Sequence, residues 1–141
     1  MAGPDGRSEN VSDLAEYRQA GRGGALERLR KSNTQAFELL ELVAIERGIS
    51  PAELLVRHRG PASVAAARQL AMYLIHTTLG ENMGKVGAFF GRDRTTVAYA
   101  CRVIEDRRDE GDAAFDEELA RLEQAANELT THRSEVMHAR R

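Results

Sequence analysis

Apolar positions recur along most of the chain at helical intervals, and each apolar stretch is bounded by residues that start or stop helices. Ala36, Phe37, Leu40, Val43 and Ala44 give the first apolar side, with Ser32 or Asn33 as the N-cap and Gly48 beyond Arg47 as the stop. Ser50-Pro51-Ala52-Glu53 combines an N-cap, a proline at the first helical position and a capping-box glutamate, which predicts a short helix to about Arg57. The run Arg57-His58-Arg59-Gly60-Pro61 breaks it. From Ser63 to Gly80, Val64, Ala67, Leu70, Ala71, Leu74 and Ile75 mark the longest helix, the expected spine of the domain. Met83, Val86 and Phe90 then lie on one face of a short helix beginning near Asn82, and Gly91 follows as its C-cap. Asp93 caps a further helix to about Arg108. The last stripe, Phe115, Leu119, Leu122, Ala126 and Leu129, predicts an amphipathic helix that folds back or meets a partner.

No alternating run of β-branched residues interrupts this pattern, so the expected fold is all-α, with five or six helices. A short helix, a glycine turn and a second helix form a helix-turn-helix. The expected organisation is a flexible N-terminal leader over residues 1–31, containing a weak helix at 11–19, and a helix-turn-helix domain over 32–108. An acidic amphipathic helix follows over 109–129, and a disordered tail over 130–141.

Charge refines this picture more than composition does. The net charge is only −2, but residues 56–108 carry nine basic side chains against four acidic ones, whereas residues 109–123 carry seven acidic side chains against a single arginine. A basic module therefore lies beside an acidic helix, and duplex affinity follows the local cation density through phosphate neutralisation and counterion release. One cysteine excludes an intrachain disulfide, and the first ten residues lack the apolar core of a signal peptide. No apolar run suffices to cross a membrane, so the expected location is the cytoplasm.

The chemistry concentrates in Gly91-Arg92-Asp93-Arg94-Thr95-Thr96-Val97, where charged and hydroxylic residues stand at the mouth of a helix that then turns apolar. A helix entering a DNA groove meets base edges with its N-terminal side chains, while its unpaired N–H groups and positive dipole end suit phosphate. The segment Phe90-Gly91-Arg92-Asp93-Arg94-Thr95-Thr96-Val97 resembles the F-G-(G)-R-D-H-T-T-V motif in the C-terminal DNA-binding domain (domain IV) of the bacterial replication initiator DnaA. A second DnaA pattern, a basic loop leading into S-V-A-x-x-R-Q-x-A-M, is matched by Arg57-His58-Arg59 and then Ser63-Val64-Ala65-Ala66-Ala67-Arg68-Gln69-Leu70-Ala71-Met72. The resemblance covers roughly residues 37–108. It implies a compact helical fold similar to DnaA domain IV and, more distantly, to Trp repressor.

The resemblance implies base contacts by Asp93, Arg94, Thr95 and Thr96 in the major groove, and by Arg59 in the neighbouring minor groove. It implies phosphate contacts by Arg57, Arg68, Gln69, Lys85 and Arg92. The residue chemistry agrees: aspartate accepts from a cytosine amino group, threonine bonds to bases or touches a thymine methyl, and arginine pairs bidentately with guanine. Arg94 stands where the family usually has His, replacing a ring that can accept a hydrogen bond with a permanently charged donor, so a shifted or relaxed site preference is expected.

The initiator's ATPase needs a G-x-x-x-x-G-K-[S/T] phosphate loop, which the 141 residues do not contain, so the expectation is a free-standing DNA-binding domain. Cys101 falls in the apolar register of its helix and reads as a buried small residue. His58, His76, His132 and His138 lie on different elements without carboxylates at ligand spacing, so neither metal nor cofactor is expected, and no convergent acid, base or nucleophile suggests an enzyme. The leading expectation is a small regulator that binds double-stranded DNA at DnaA-box-like sites and modulates replication initiation or nearby transcription. The alternative is an interaction protein that mimics the initiator's DNA-binding domain and binds the initiator or one of its regulators, with weak DNA affinity. Neither reading calls for a membrane or a small-molecule substrate.

Overall fold

A computed structural model describes residues 24–139, with side chains placed through Thr131. Seven helices and no strands occur among the described residues: α1 (Ala25–Ser32), α2 (Thr34–Arg47), α3 (Pro51–Leu54), α4 (Ala62–Leu79), α5 (Met83–Phe90), α6 (Arg94–Asp109) and α7 (Ala113–Ala139).

Helix α4 occupies the centre because it is apolar nearly all round. Ten of its residues between Val64 and Ile75 are buried, and α2, α3, α5, α6 and α7 all pack on it. The core joins Leu39, Leu40 and Val43 of α2 to Leu70, Leu74 and Ile75 of α4. Val86 and Phe90 of α5, Val97 and Ile104 of α6, and Phe115 and Leu119 of α7 complete it. Local signals delimit these elements. The Asn33 side chain accepts from the Ala36 amide at 3.0 Å to start α2, and its amide group also meets the Glu81 carboxylate across the domain. Gly48 ends α2 in the left-handed region, with Gly48 N–H donating to Ile45 O and Ile49 N–H to Ala44 O.

Five expectations need correction. The leader is expected to stay flexible to residue 31, but α1 forms over Ala25–Ser32 because Leu29 is buried and Leu26 packs beside it on the core. This helix also takes the count beyond five or six. The short helix α3 stops at Leu54 rather than near Arg57, since Leu55 and Val56 turn inward and are buried. The acidic helix does not end near Leu129: α7 continues to Ala139 through most of the stretch expected to fray. Ser50 and Asp93 occupy N-cap positions in extended conformation, yet neither side chain makes a capping hydrogen bond. The weak helix expected at residues 11–19 lies outside the described residues.

The last stripe folds back rather than standing free. Phe115, Leu119, Leu122 and Ala126 are buried, and α7 packs on α2 and α4. Ion pairs flank that contact: Arg47–Glu118 at 2.6 Å, Arg121–Glu46 at 2.8 Å and Arg108–Glu123 at 3.7 Å.

Candidate nucleic-acid interface

Helices α5 and α6 meet through a turn three residues long, Gly91-Arg92-Asp93. Gly91 has φ of 66°, Arg92 N–H donates to Gly87 O at 2.8 Å and Gly91 N–H to Ala88 O at 3.2 Å, a Schellman closure of α5. The closure brings the backbone so near α5 that a Cβ on Gly87 would stand 2.5 Å from Arg92 O and 3.1 Å from the Asp93 carbonyl carbon. Glycine at 87 is thus a requirement of the helix-turn-helix, unmarked in the sequence except as a glycine inside a helix.

Beyond the turn, Asp93, Arg94, Thr95 and Thr96 are all exposed, while Val97, Ala100, Cys101 and Ile104 anchor α6 in the core. The helix is held by its inner face and presents its first turn outward, where unpaired amides point away from the protein. Cys101 is buried as expected, and burial, followed by the nearby Glu105 charge, pushes its thiol above the ordinary range. Tyr99, 57% exposed, continues the outer face one turn beyond Thr95, and Arg102 follows it, also exposed. Neither was assigned a contact from sequence. The i, i+4 spacing from Thr95 to Tyr99 and the i, i+3 spacing from Tyr99 to Arg102 place them on the same side.

The basic loop lies beside this turn, held by two arginines. Arg92 donates through Nη1 to Val56 O at 3.0 Å and Phe90 O at 2.7 Å, and through Nη2 to Arg57 O at 3.0 Å and His58 O at 3.2 Å. Arg68, only 4% exposed, donates through Nε to Leu54 O at 2.8 Å, through Nη1 to Arg59 O at 3.0 Å and through Nη2 to Glu53 O at 3.3 Å. An irregular segment leaves carbonyls without ladder partners, and these guanidiniums supply donors to nearly every one from Glu53 to Arg59. Burial, then the charges of Arg92 and Arg59, lower Arg68 to a pKa of about 10, so it remains a cation at neutral pH.

This geometry separates the residues singled out from sequence into groups. Asp93, Arg94, Thr95 and Thr96 come together on the first turn of α6, with the exposed Arg57 and Arg59 on the adjoining loop. Lys85 is exposed on α5, 3.6 Å from Glu81, and Gln69 is half-buried on α4. Arg68 and Arg92 differ from the surface phosphate ligands expected of them. Arg68 is buried, Arg92 is half-buried, and the guanidinium bonds just described run to protein carbonyls, because the loop they face needs those donors. No group of three or more His, Cys, Asp or Glu among the described residues could hold a metal ion, and no described helix is long and apolar enough to cross a membrane.

Residues 38–104 match the family model of the bacterial DnaA protein helix-turn-helix. The module is similar to DnaA. Over 54 residues the chain is 46% identical to the chromosomal replication initiator protein DnaA of Lactococcus lactis subsp. cremoris (strain MG1363), covering 38% of this chain and 12% of that protein. Over 77 residues it is 34% identical to DnaA of Tropheryma whipplei (strain Twist), covering 55% and 16%. Over 65 residues it is 45% identical to DnaA of Ralstonia nicotianae (strain ATCC BAA-1114 / GMI1000), covering 45% and 12%. The chain thus spans less than a fifth of the length of these initiators, within the part that carries the DnaA helix-turn-helix. A DnaA-like helix-turn-helix with an exposed, hydroxylic and cationic first turn supports DNA binding.

Proposed function

We propose that this protein binds double-stranded DNA at DnaA-box-like sites and thereby modulates replication initiation or transcription near them. The observation that carries the reading is the joint exposure of Asp93, Arg94, Thr95 and Thr96 on one helical turn, beside a loop presenting Arg57 and Arg59. In this reading α6 enters the major groove, with Asp93, Arg94 and Thr95 meeting base edges and Thr96 at the groove wall. Arg59 enters the adjoining minor groove, where a narrow A·T-rich segment concentrates negative potential. Lys85, Arg57 and Gln69 hold phosphates and set the register without reading sequence. Tyr99 and Arg102 extend the same face along the helix.

Arg94 distinguishes this chain from the family motif. A guanidinium favours guanine or phosphate, so the site preference shifts at the pair that the family's histidine contacts, and Arg94→His moves it back. An unchanged preference in that variant would contradict the assignment.

Fluorescence anisotropy with a DnaA-box duplex and a scrambled duplex of equal length, across a salt series, tests the whole reading. Retained preference for the box at high salt supports a sequence-specific regulator, because phosphate attraction fades while base contacts persist. Weak binding to both, erased by salt, favours the alternative of a mimic that binds the initiator or its regulators. Truncation after Arg108 is a poor way to separate the two, since it would uncover the core that Phe115, Leu119 and Leu122 help to close. Charge reversal at the exposed Asp116 and Glu117 leaves that core intact and asks whether the acidic helix governs DNA affinity.

A further inference from the structure

We propose that Arg92 is a positioning residue for minor-groove reading: it fixes the Arg57–Arg59 loop to the turn that starts α6, so that the two reading elements meet DNA as one rigid unit. The inference rests on the DNA-binding reading above and adds to it a role opposite to phosphate contact.

The backbone of Arg92 belongs to the helix-turn-helix. Its N–H closes α5 on Gly87 O, and its neighbour Asp93 accepts the first backbone bonds of α6, from Thr96 N–H at 3.0 Å and Val97 N–H at 3.4 Å. The side chain belongs to the loop, reaching the carbonyls of Val56, Arg57 and His58, between 34 and 36 residues away in the chain. Displacing the loop relative to α6 breaks these bonds together. Arg68 completes the bracket through Leu54 O and Arg59 O, which lie in the sequence on either side of the loop carbonyls that Arg92 holds. A planar fork is required, because Arg92 serves four carbonyls through two nitrogens and an ammonium has only three donors on one. Lysine at 92 therefore keeps the charge and loses the bracket, which separates positioning from phosphate attraction.

The test uses the full chain and box duplexes in which single A·T pairs are replaced by G·C or by inosine·C. Inosine lacks the 2-amino group, so inosine·C keeps the minor-groove face of A·T and changes the major-groove face. Pairs at which G·C weakens wild-type binding and inosine·C does not are read from the minor groove. Arg92→Lys is expected to erase those penalties to within about twofold, while penalties at major-groove pairs and the salt slope stay as in wild type. Arg59→Ala should do the same, and adding Arg92→Lys to it should bring no further loss of minor-groove discrimination. In the unbound protein, backbone amide order parameters at residues 56–59 should fall in Arg92→Lys with those of α6 unchanged. Retained minor-groove penalties in Arg92→Lys, or unaltered order parameters at 56–59, overturns the proposal. A wild-type chain that prefers no duplex overturns the DNA-binding reading and the minor-groove role with it, and the order parameters then decide only whether the bracket holds the loop.

Discussion

The two ends of α6 use arginine in opposite ways. Beside the first turn, Arg68 of α4 and Arg92 of the connecting turn donate to carbonyls, which fill hydrogen-bond valences without cancelling charge. Arg107 and Arg108, on the last turn, meet Asp112 at 3.4 Å and Glu123 at 3.7 Å, and Arg107 also lies 4.2 Å over the Phe115 ring. Arg47 and Arg121, on the face where α2 and α7 meet, are likewise paired with Glu118 and Glu46. Carboxylates neutralise arginines at the α7 side, whereas carbonyls orient Arg68 and Arg92 beside the reading turn and leave their field intact, with Lys85 and its Glu81 partner the exception on that side. A net charge of −2 thus conceals a molecule divided by the way its cations are paired. The acidic helix touches α6 through its last turn, and Asp93 to Thr96 stay exposed.

Several substitutions bear on that division. The largest loss should follow Arg68→Ala, which strands three carbonyls in a buried site. Urea unfolding should show a destabilisation of about 3 kcal/mol. If the loss is instead below that of an exposed arginine, the bracket is not holding the loop. Gly87→Ala should cost roughly 1–3 kcal/mol by the same measurement, because the added methyl meets backbone rather than a pliable side chain. Thr95→Ala should leave the melting temperature unchanged and weaken box binding by about 1–2 kcal/mol with relaxed preference at one pair. Lys85→Ala should weaken all sequences alike, and equal loss of selectivity in both variants would contradict the separation of reading from clamping. The smallest effect belongs to the carboxylate-paired side. Arg47→Met should lower stability by up to about 1 kcal/mol, fading with salt, and leave DNA affinity untouched.

How much of this could be read from the sequence depends on the range of the signal. The boundaries of α2, the turn at Gly91 and the inner face of α6 follow from caps, glycines and periodicity within a few residues, and the structure reproduces them closely. The exposed first turn of α6 was legible for the same reason. Helix α1 was not, because only Leu29 among its residues is buried and a glycine-rich stretch precedes it. The destinations of Arg68 and Arg92 are beyond local reasoning: neither Ala67 and Gln69 beside the one nor Gly91 and Asp93 beside the other announces burial or partners up to 36 residues distant. Tyr99 was within reach, since its spacing from Thr95 already places it on the reading face.

The carbonyl bracket has a consequence for how the protein responds to ionic strength. Ion pairs loosen as salt rises, but the bonds from Arg68 and Arg92 end on neutral oxygens that added ions do not compete for as they do for a carboxylate, and Arg68 is buried besides. Salt therefore acts on the attraction between protein and duplex and hardly at all on the shape of the surface that meets it. A loop already ordered in the unbound state has little conformational freedom left to lose on docking. Dilution from high salt should restore affinity without any refolding step, as fast as encounter permits.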